Sequence, residues 1–142
     1  MSDGQHRTIS LFLDANILIS AAWKDGTEIS HIWRFADIRL ITSQYVMGEV
    51  QRNLRQIGQI ERLRKLMRSV QIIYVDEGFD LPEARLLPEK DRPILAAAVQ
   101  TTADYLVSGD KKHFTPFFGS VIRGVRVISP PQLLAALRLG SL

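Results

Sequence analysis

The sequence predicts an α/β protein: a three-layer α/β/α sandwich with a mainly parallel central sheet. Short apolar or β-branched segments alternate along the chain with stretches of helical periodicity, and strands separated by helices pair in parallel. The chain has no internal repeat, low-complexity tract or linker-like stretch. Its 142 residues suit one compact domain, so we expect a single domain over 1–142 with an ordered core over about 8–138.

The first half of the chain opens with ISLFLD at 9–14, a short apolar run that is typical of a buried strand. Residues 28–37 place Ile, Trp and Ala side chains at helical spacing and predict a helix. The run LITS at 40–43 predicts a second strand. Ser43 is a suitable N-cap for a helix through Gln56, with valine and leucine on its apolar face.

The middle of the chain continues the alternation. Gly58 is expected to interrupt the helical pattern, which resumes over 59–69. The β-branched and aromatic run QIIYV at 71–75 predicts a strand. Residues 76–88 are rich in Asp, Glu and Pro, and predict a loop with at most a helical turn.

The last part of the chain has one more helix between strands. A helix is expected from near Asp91 to Thr101, where Pro93 falls in the first turn and is tolerated. The runs DYLVS at 104–108 and VRVIS at 125–129 predict two further strands. Two prolines then introduce a short C-terminal helix, QLLAALRL.

Composition excludes several classes of protein. The chain has no cysteine, so it can form neither a disulfide framework nor a thiolate zinc site. No apolar run approaches the roughly 20 residues that cross a bilayer. The first 20 residues lack the order of regions found in a signal peptide. We therefore expect a cytoplasmic protein with no membrane partner.

Four acidic residues stand beside apolar segments, where a solvated carboxylate would be out of place: Asp14, Glu49, Asp91 and Asp110. A buried, unpaired carboxylate is costly, and one divalent cation could compensate several of them. Mg²⁺ and Mn²⁺ take oxygen ligands of this kind. Asp14 and Asp110 also fall at the carboxyl ends of predicted strands, where open parallel sheets carry their sites.

Each of these acids has a structural alternative. Asp14 could cap a helix at a strand-to-helix turn. Glu49 could be an exposed helix residue, Asp91 could complement a helix dipole, and Asp110 could be a turn residue after a glycine. Local sequence leaves both interpretations open for all four.

Charge adds a second, weaker indication. The net charge is +3, but setting the four acids aside leaves 11 of the 15 acidic residues against 18 basic ones, a remainder of +7. Such a surface attracts a polyanion, although a solvated basic protein would have the same composition. A fifth acid, Asp104, lies about 20 Å of extended strand before Asp110, so we assign it a strand-entry or capping role.

Together the motifs LDANILIS, a Glu on the helix after the second strand, DRPILAAA and ADYLVSGDKKHF resemble the successive motifs of the PIN-domain family. The resemblance covers about residues 9–137 and is greatest to stand-alone PIN proteins that are the toxins of prokaryotic toxin–antitoxin pairs. It implies a Rossmann-like fold, Mg²⁺- or Mn²⁺-dependent RNA cleavage, a cognate antitoxin and a homodimer. Asp14, Glu49, Asp91 and Asp110 would be the catalytic and metal-binding acids. Asn16 and Ser108 would hold ligands or a water in position.

Basic residues near these acids are candidates for RNA contact. They are Arg52 and Arg55 in a basic helical region, Arg92 beside Asp91, and Lys111 and Lys112 beside Asp110. Arg52 and Arg55 could instead belong to a solvated helix face, and Arg92, Lys111 and Lys112 could merely balance the acids when no metal is bound. We assign no site role to His6, His31 or His113.

Three other functions remain open. One is a non-catalytic RNA- or protein-binding module, which would bind equally well in excess chelator. Another is a nuclease that acts on DNA. The third is a phosphotransfer protein, since an Asp after the first strand also occurs in haloacid-dehalogenase phosphatases and response-regulator receivers. The phosphatase pattern requires a second acid where this chain has Asn16, and the receiver pattern is not evident.

Overall fold

The computed structural model describes residues 8–142; the predicted domain start and His6 lie outside them. Its centre is a six-stranded sheet of order β3-β2-β1-β4-β6-β5. All neighbouring strands are parallel except β5 and β6, which form an antiparallel pair at one edge. The strands are β1 (Ile9–Leu13), β2 (Ile38–Ser43), β3 (Val70–Ile73), β4 (Tyr105–Val107), β5 (Val121–Ile122) and β6 (Val125–Ile128).

Helices connect the parallel strands. The α-helices are α1 (Ala15–Trp23), α2 (Gln44–Asn53), α3 (Ile57–Met67), α4 (Arg92–Gln100), α5 (Lys111–Phe114) and α6 (Pro130–Leu139). Short 3₁₀ helices lie at Ile29–Arg34, Pro82–Leu86, Glu89–Asp91 and Thr115–Phe117. As the sequence predicts, Ser43 caps α2 by accepting a hydrogen bond from the backbone of Val46. None of the helices in residues 8–142 is long and apolar enough to span a membrane.

The core lies on both faces of the sheet. Consecutive residues Leu11, Phe12 and Leu13 of β1 are fully buried, although their side chains alternate between the two faces. Both faces must therefore be covered by helices. On one face α1 packs against α2 and α3, and right-handed crossovers place α4 on the other. The predicted α/β class with a mainly parallel sheet is confirmed.

Strand order determines where a site can form. The chain runs outward from β1 to β2 and β3, then crosses back to β4 on the other side of β1. Connections leave β1 and β4 in opposite directions, so a crevice opens between their carboxyl ends. Asp14 follows β1, and Ser108 to Asp110 follow β4. The predicted site residues at these two strand ends thus flank the switch point of the sheet.

Several predicted boundaries are wrong. The helix expected over 28–37 is only a 3₁₀ helix at Ile29–Arg34. It ends where Phe35 takes an extended backbone, and Asp37 then adopts a left-handed backbone with φ of 63° before β2. Gly58 does not interrupt a helix but lies in the first turn of α3. The break falls earlier, at extended backbone around Leu54, whose side chain is buried in the core.

Two features were not predicted as elements. Helix α1 buries five of its nine residues and is apolar on most sides, so it lacks the periodicity of a surface helix. Strand β5 has only two residues. The remaining predicted strands and helices are present, with ends displaced by one or two residues.

Candidate active site

Asp14 is the buried carboxylate at the switch point and is only 3% exposed. It follows β1 and caps α1, since its Oδ1 accepts a hydrogen bond from the backbone N–H of Ala15 at 2.7 Å. Its Oδ2 accepts hydrogen bonds from the Ser108 hydroxyl at 2.7 Å and the Asn16 amide at 3.2 Å. Asp14 therefore has the capping role considered from sequence, and its second oxygen faces β4.

Ser108 and Asn16 join the ends of β1 and β4. Besides donating to Asp14, the Ser108 hydroxyl accepts from the backbone N–H of Asp110 at 3.1 Å. The side-chain carbonyl oxygen of Asn16 accepts a hydrogen bond from the backbone N–H of Gly109 at 2.7 Å. A Cβ at Gly109 would lie 3.2 Å from that carbonyl oxygen, so the close approach favours glycine. Both predicted positioning residues thus contact Asp14 or the Asp110 loop, while their functional roles stay predictions.

Asp91 ends a 3₁₀ turn immediately before α4 and is 6% exposed. The Tyr45 hydroxyl on α2 donates to the carbonyl of Lys90, which ties this turn to the neighbouring helix. The Oδ2 atom of Asp91 is buried and has no hydrogen-bond partner. This carboxylate oxygen is therefore withdrawn from water without a hydrogen bond to replace it, although His113 Nδ1 lies 3.0 Å away.

Asp110 and His113 lie opposite Asp91. The Asp110 carboxylate caps α5 by accepting from the backbone N–H of His113 at 3.1 Å. The Nδ1 atom of His113 lies 2.8 Å from Asp110 Oδ2, with which it forms a hydrogen bond, and 3.0 Å from Asp91 Oδ2. Ligand atoms of Asp91, Asp110 and His113 lie within 4.8 Å of one another. We call these three residues the ligand cluster.

Glu49 lies on α2 and is half-buried. Within residues 8–142, the ligand cluster does not include Glu49. Its negative charge nevertheless raises the pKa of Asp14. The four predicted acids are therefore connected in three ways. Asp91 and Asp110 both contact His113. Asp14 is linked to Asp110 through Ser108, and Glu49 acts on Asp14 through its charge.

The electrostatics show that negative charge at this edge is under-compensated. Burial raises the pKa of Asp14 to about 6; hydrogen bonds from Ser108 and Ala15 oppose this rise, and the charges of Glu49 and Asp91 add to it. Burial also raises the pKa of Asp91, partly offset by His113. Burial pushes the pKa of Asp110 upward too, but hydrogen bonds from the backbone and side chain of His113 outweigh it, so this pKa lies below its ordinary value.

The chemistry of the donor set fits a divalent cation. It offers carboxylate oxygens and one imidazole nitrogen, and the buried Asp91 oxygen has no hydrogen-bond donor. A cation would offset the burial of the Asp14 charge and its repulsion by Glu49 and Asp91, which together raise the pKa of Asp14, and would satisfy the Asp91 oxygen. The arrangement can therefore hold a metal of the type predicted from sequence.

The basic residues proposed for RNA contact differ in availability. Lys111 and Lys112 are exposed on α5 beside Asp110, and Arg52 and Arg55 are exposed around the end of α2. Arg92 is already engaged. Its guanidinium donates to the carbonyl of Leu87 at 3.0 Å and to that of Arg85 at 3.4 Å, which braces the turn before α4.

Two other residues complete the comparison with the sequence. Asp104 accepts hydrogen bonds from the Ser10 backbone at 2.9 Å and the Ser10 hydroxyl at 3.1 Å, at the start of β4, so the expected strand-entry role is confirmed. His113 was missed. The signal that could have found it is its position three residues after Asp110 in a helical turn, which places both side chains on one face.

Comparisons with known proteins agree with this architecture. A family model described as "PIN domain" matches residues 10–112. A chain of the crystal structure of VapBC2 from Rickettsia felis, bound to a DNA fragment from their promoter, superposes with a TM-score of 0.65 at 18% identity. The superposition covers 85% of this chain and 98% of that one, and at this identity it supports the fold alone. No curated protein matches in sequence. With the family model spanning most of its length, the chain belongs to the PIN-domain family.

Proposed function

We propose that this protein is a metal-dependent endoribonuclease that hydrolyses phosphodiester bonds in RNA. The observation that carries the proposal is the buried Asp91 oxygen, which lacks a hydrogen-bond donor and faces Asp110 and His113 beside Asp14. A site that is both buried and rich in carboxylates is costly without a cation. Membership of a family whose members are generally nucleases supports the same function.

The cofactor in this proposal is Mg²⁺ or Mn²⁺, held by Asp14, Asp91 and Asp110 with Glu49 beside them. When bound, such an ion supplies a Lewis acid for the phosphoryl oxygen and lowers the pKa of a water. Ser108 and Asn16 keep Asp14 oriented through the hydrogen bonds described above. A carboxylate of this set would accept a proton from the water whose oxygen bonds to phosphorus. The bond from phosphorus to the leaving oxygen would break, and that oxygen would take a proton from solvent.

RNA would approach over the exposed cations around this edge. Lys111 and Lys112 begin α5 next to Asp110 and can reach phosphates on either side of the scissile bond. Arg52 and Arg55 would extend the contact along the strand. We exclude Arg92 from this group because its guanidinium already braces two carbonyls.

We further propose that the protein is a single-domain toxin kept inactive in the cytoplasm by an antitoxin, and that it forms a homodimer. The VapBC2 structure from Rickettsia felis is of a toxin–antitoxin pair, which supports a partner of this kind. A groove of about 630 Å³ between α2 and α3 offers apolar residues such as Met47 and Met67, with Arg64 and Arg68 among its lining. An amphipathic segment with acidic flanks would suit it. Met67→Glu should then reduce co-purification with the product of the neighbouring gene while RNA cleavage persists.

The test of the nuclease is cleavage of labelled single-stranded RNA by purified protein, with Mg²⁺, Mn²⁺ or EDTA. Asp91→Asn should abolish cutting. Asp25→Asn is the matched control, because Asp25 is an exposed acid beyond the far end of α1, 3.9 Å from Arg62. RNA that is bound but left intact in every metal would instead favour a non-catalytic binding module. Cutting of DNA in preference to RNA would overturn the substrate assignment.

A further inference from the structure

His113 is held in a geometry that a packing role does not require. Its backbone N–H is fixed by Asp110, and the next residue, Phe114, is fully buried and anchors α5 against the core. The backbone that carries the imidazole ring is therefore fixed close to the carboxylates of Asp91 and Asp110. Its Nδ1 atom meets two charged oxygens, at 2.8 Å from Asp110 and 3.0 Å from Asp91.

The two carboxylates do not share Nδ1 equally. Asp110 Oδ2 has the hydrogen bond, whereas Asp91 Oδ2 is within 3.0 Å yet remains without a hydrogen-bond partner in a residue that is 6% exposed. One N–H hydrogen serves one carboxylate and leaves the second unsatisfied. In the tautomer that carries its hydrogen on Nε2, Nδ1 has a lone pair instead, and a cation placed among the three atoms would be bound by both oxygens and by this nitrogen.

We infer that His113 Nδ1 is a metal ligand, and that it makes the ligand cluster select a first-row transition ion such as Mn²⁺ over Mg²⁺. This inference rests on the proposed function and deepens it by identifying the class of metal. Mg²⁺ keeps an oxygen shell and gives up its waters reluctantly, so a nitrogen in the site penalises it. Transition ions accept imidazole together with carboxylates.

The preference for a transition ion depends on His113, because the acids of the site offer only oxygen ligands. Asp14 accepts a hydrogen bond from Ser108 and presents oxygens only. Asp91 and Asp110 likewise present oxygens only. Within residues 8–142, His113 is the one nitrogen ligand that the ligand cluster contains. A variant that replaces this nitrogen by an oxygen should therefore lose the preference for Mn²⁺ over Mg²⁺ in binding affinity.

The experiment measures metal binding directly on untagged protein, without RNA. Binding isotherms for Mn²⁺ and Mg²⁺ are combined with pulsed electron paramagnetic resonance of bound Mn²⁺, which detects coupling to a ligand ¹⁴N. We expect an imidazole ¹⁴N coupling in the wild type that is absent in His113→Asn. In that variant Mn²⁺ affinity should fall about tenfold or more, with Mg²⁺ affinity little changed because the amide oxygen replaces the nitrogen. His31→Asn, on the distant 3₁₀ helix, should keep the coupling and both affinities.

The controls separate this inference from the proposed function. Thermal unfolding in EDTA checks that each variant is folded, and His113→Ala repeats the test without a new ligand oxygen. Metal binding that requires Asp91 but shows no ¹⁴N coupling, or a coupling that survives in His113→Asn, would overturn the role of His113 and leave a metal-dependent nuclease standing. Absence of any Mn²⁺ or Mg²⁺ binding by the wild type would overturn both.

Discussion

Replacing Asp14 by asparagine should stabilise the metal-free protein at neutral pH. Burial raises the pKa of Asp14 from 3.8 to about 6, so keeping this side chain ionised costs the folded state about 3 kcal/mol at about 1.4 kcal/mol per pH unit. Asparagine removes that cost and can keep the hydrogen bond from Ala15. Its amide nitrogen takes the place of Oδ2 and cannot accept the hydrogen bonds from the Asn16 amide and the Ser108 hydroxyl, which are worth about 1 kcal/mol each. The expected net gain is about 1 kcal/mol in the free energy of unfolding at pH 7.

The pH dependence of this gain follows from the direction of the shift. Below pH 3.8 Asp14 is protonated in both folded and unfolded chains and contributes no difference. As the pH rises toward 6, the unfolded chain releases its proton first, so wild-type stability falls; above about 6 the full cost is present. The asparagine side chain of Asp14→Asn does not titrate, so the advantage of the variant should be present at pH 7 and should disappear by pH 4.

Urea unfolding in EDTA, at pH 7 and at pH 4, measures both quantities by linear extrapolation. Asp25→Asn, an exposed acid, should change stability little at either pH. An Asp14→Asn variant that is less stable than wild type at pH 7, or whose gain is the same at both pH values, would refute this reasoning. The same variant should lose RNA cleavage, because it removes a carboxylate of the proposed metal site; a gain in stability with a loss of function is the trade-off expected of a functional residue.

Four further predictions test the surroundings of the site. Ser108→Ala should lower the free energy of unfolding by about 1–3 kcal/mol in urea titrations, because it removes a buried donor to Asp14 and an acceptor for the Asp110 backbone; unchanged stability would contradict the bridging role. The double variant Lys111→Ala, Lys112→Ala should weaken the binding of uncleaved RNA. It should also reduce the slope of the logarithm of the binding constant against the logarithm of salt concentration by about one to two. Arg92→Ala should leave that salt dependence unchanged and instead lower stability; the reverse pattern would restore Arg92 as an RNA contact. Phe114→Ala should cost about 3–5 kcal/mol in the same urea assay and lower metal affinity by releasing α5, and a small stability change would show that Phe114 does not anchor it.

The sequence was sufficient for the strands that carry the site. The run before Asp14 is apolar on both strand faces, and such a run predicts a covered strand whose end is available for a polar residue. The same reasoning applied to β4 and Asp110. Helix α1 escaped prediction because it is buried on most sides and lacks a polar face.

The contacts across the site could not be obtained from local sequence. Asp91 belongs to the turn before α4 and His113 to α5, and only the strand order β1-β4-β6 brings these two segments together. Arg92 shows that local sequence does not determine where a side chain points. Its neighbour in sequence is a site acid, yet its guanidinium turns to the carbonyls of Leu87 and Arg85, a choice set by tertiary packing. Proximity in the chain predicted which residues are near the site, but not where their side chains point.

The central claim is that the carboxylates at the β1–β4 switch point bind a divalent metal and use it to cut RNA. One titration tests it: Mn²⁺ is added to metal-free protein and labelled RNA while bound metal and cleavage are followed together. We predict that both rise with the same half-saturation and that both are lost in Asp91→Asn but kept in Asp25→Asn. Cleavage that persists in EDTA, or that is undiminished in Asp91→Asn, would contradict the claim.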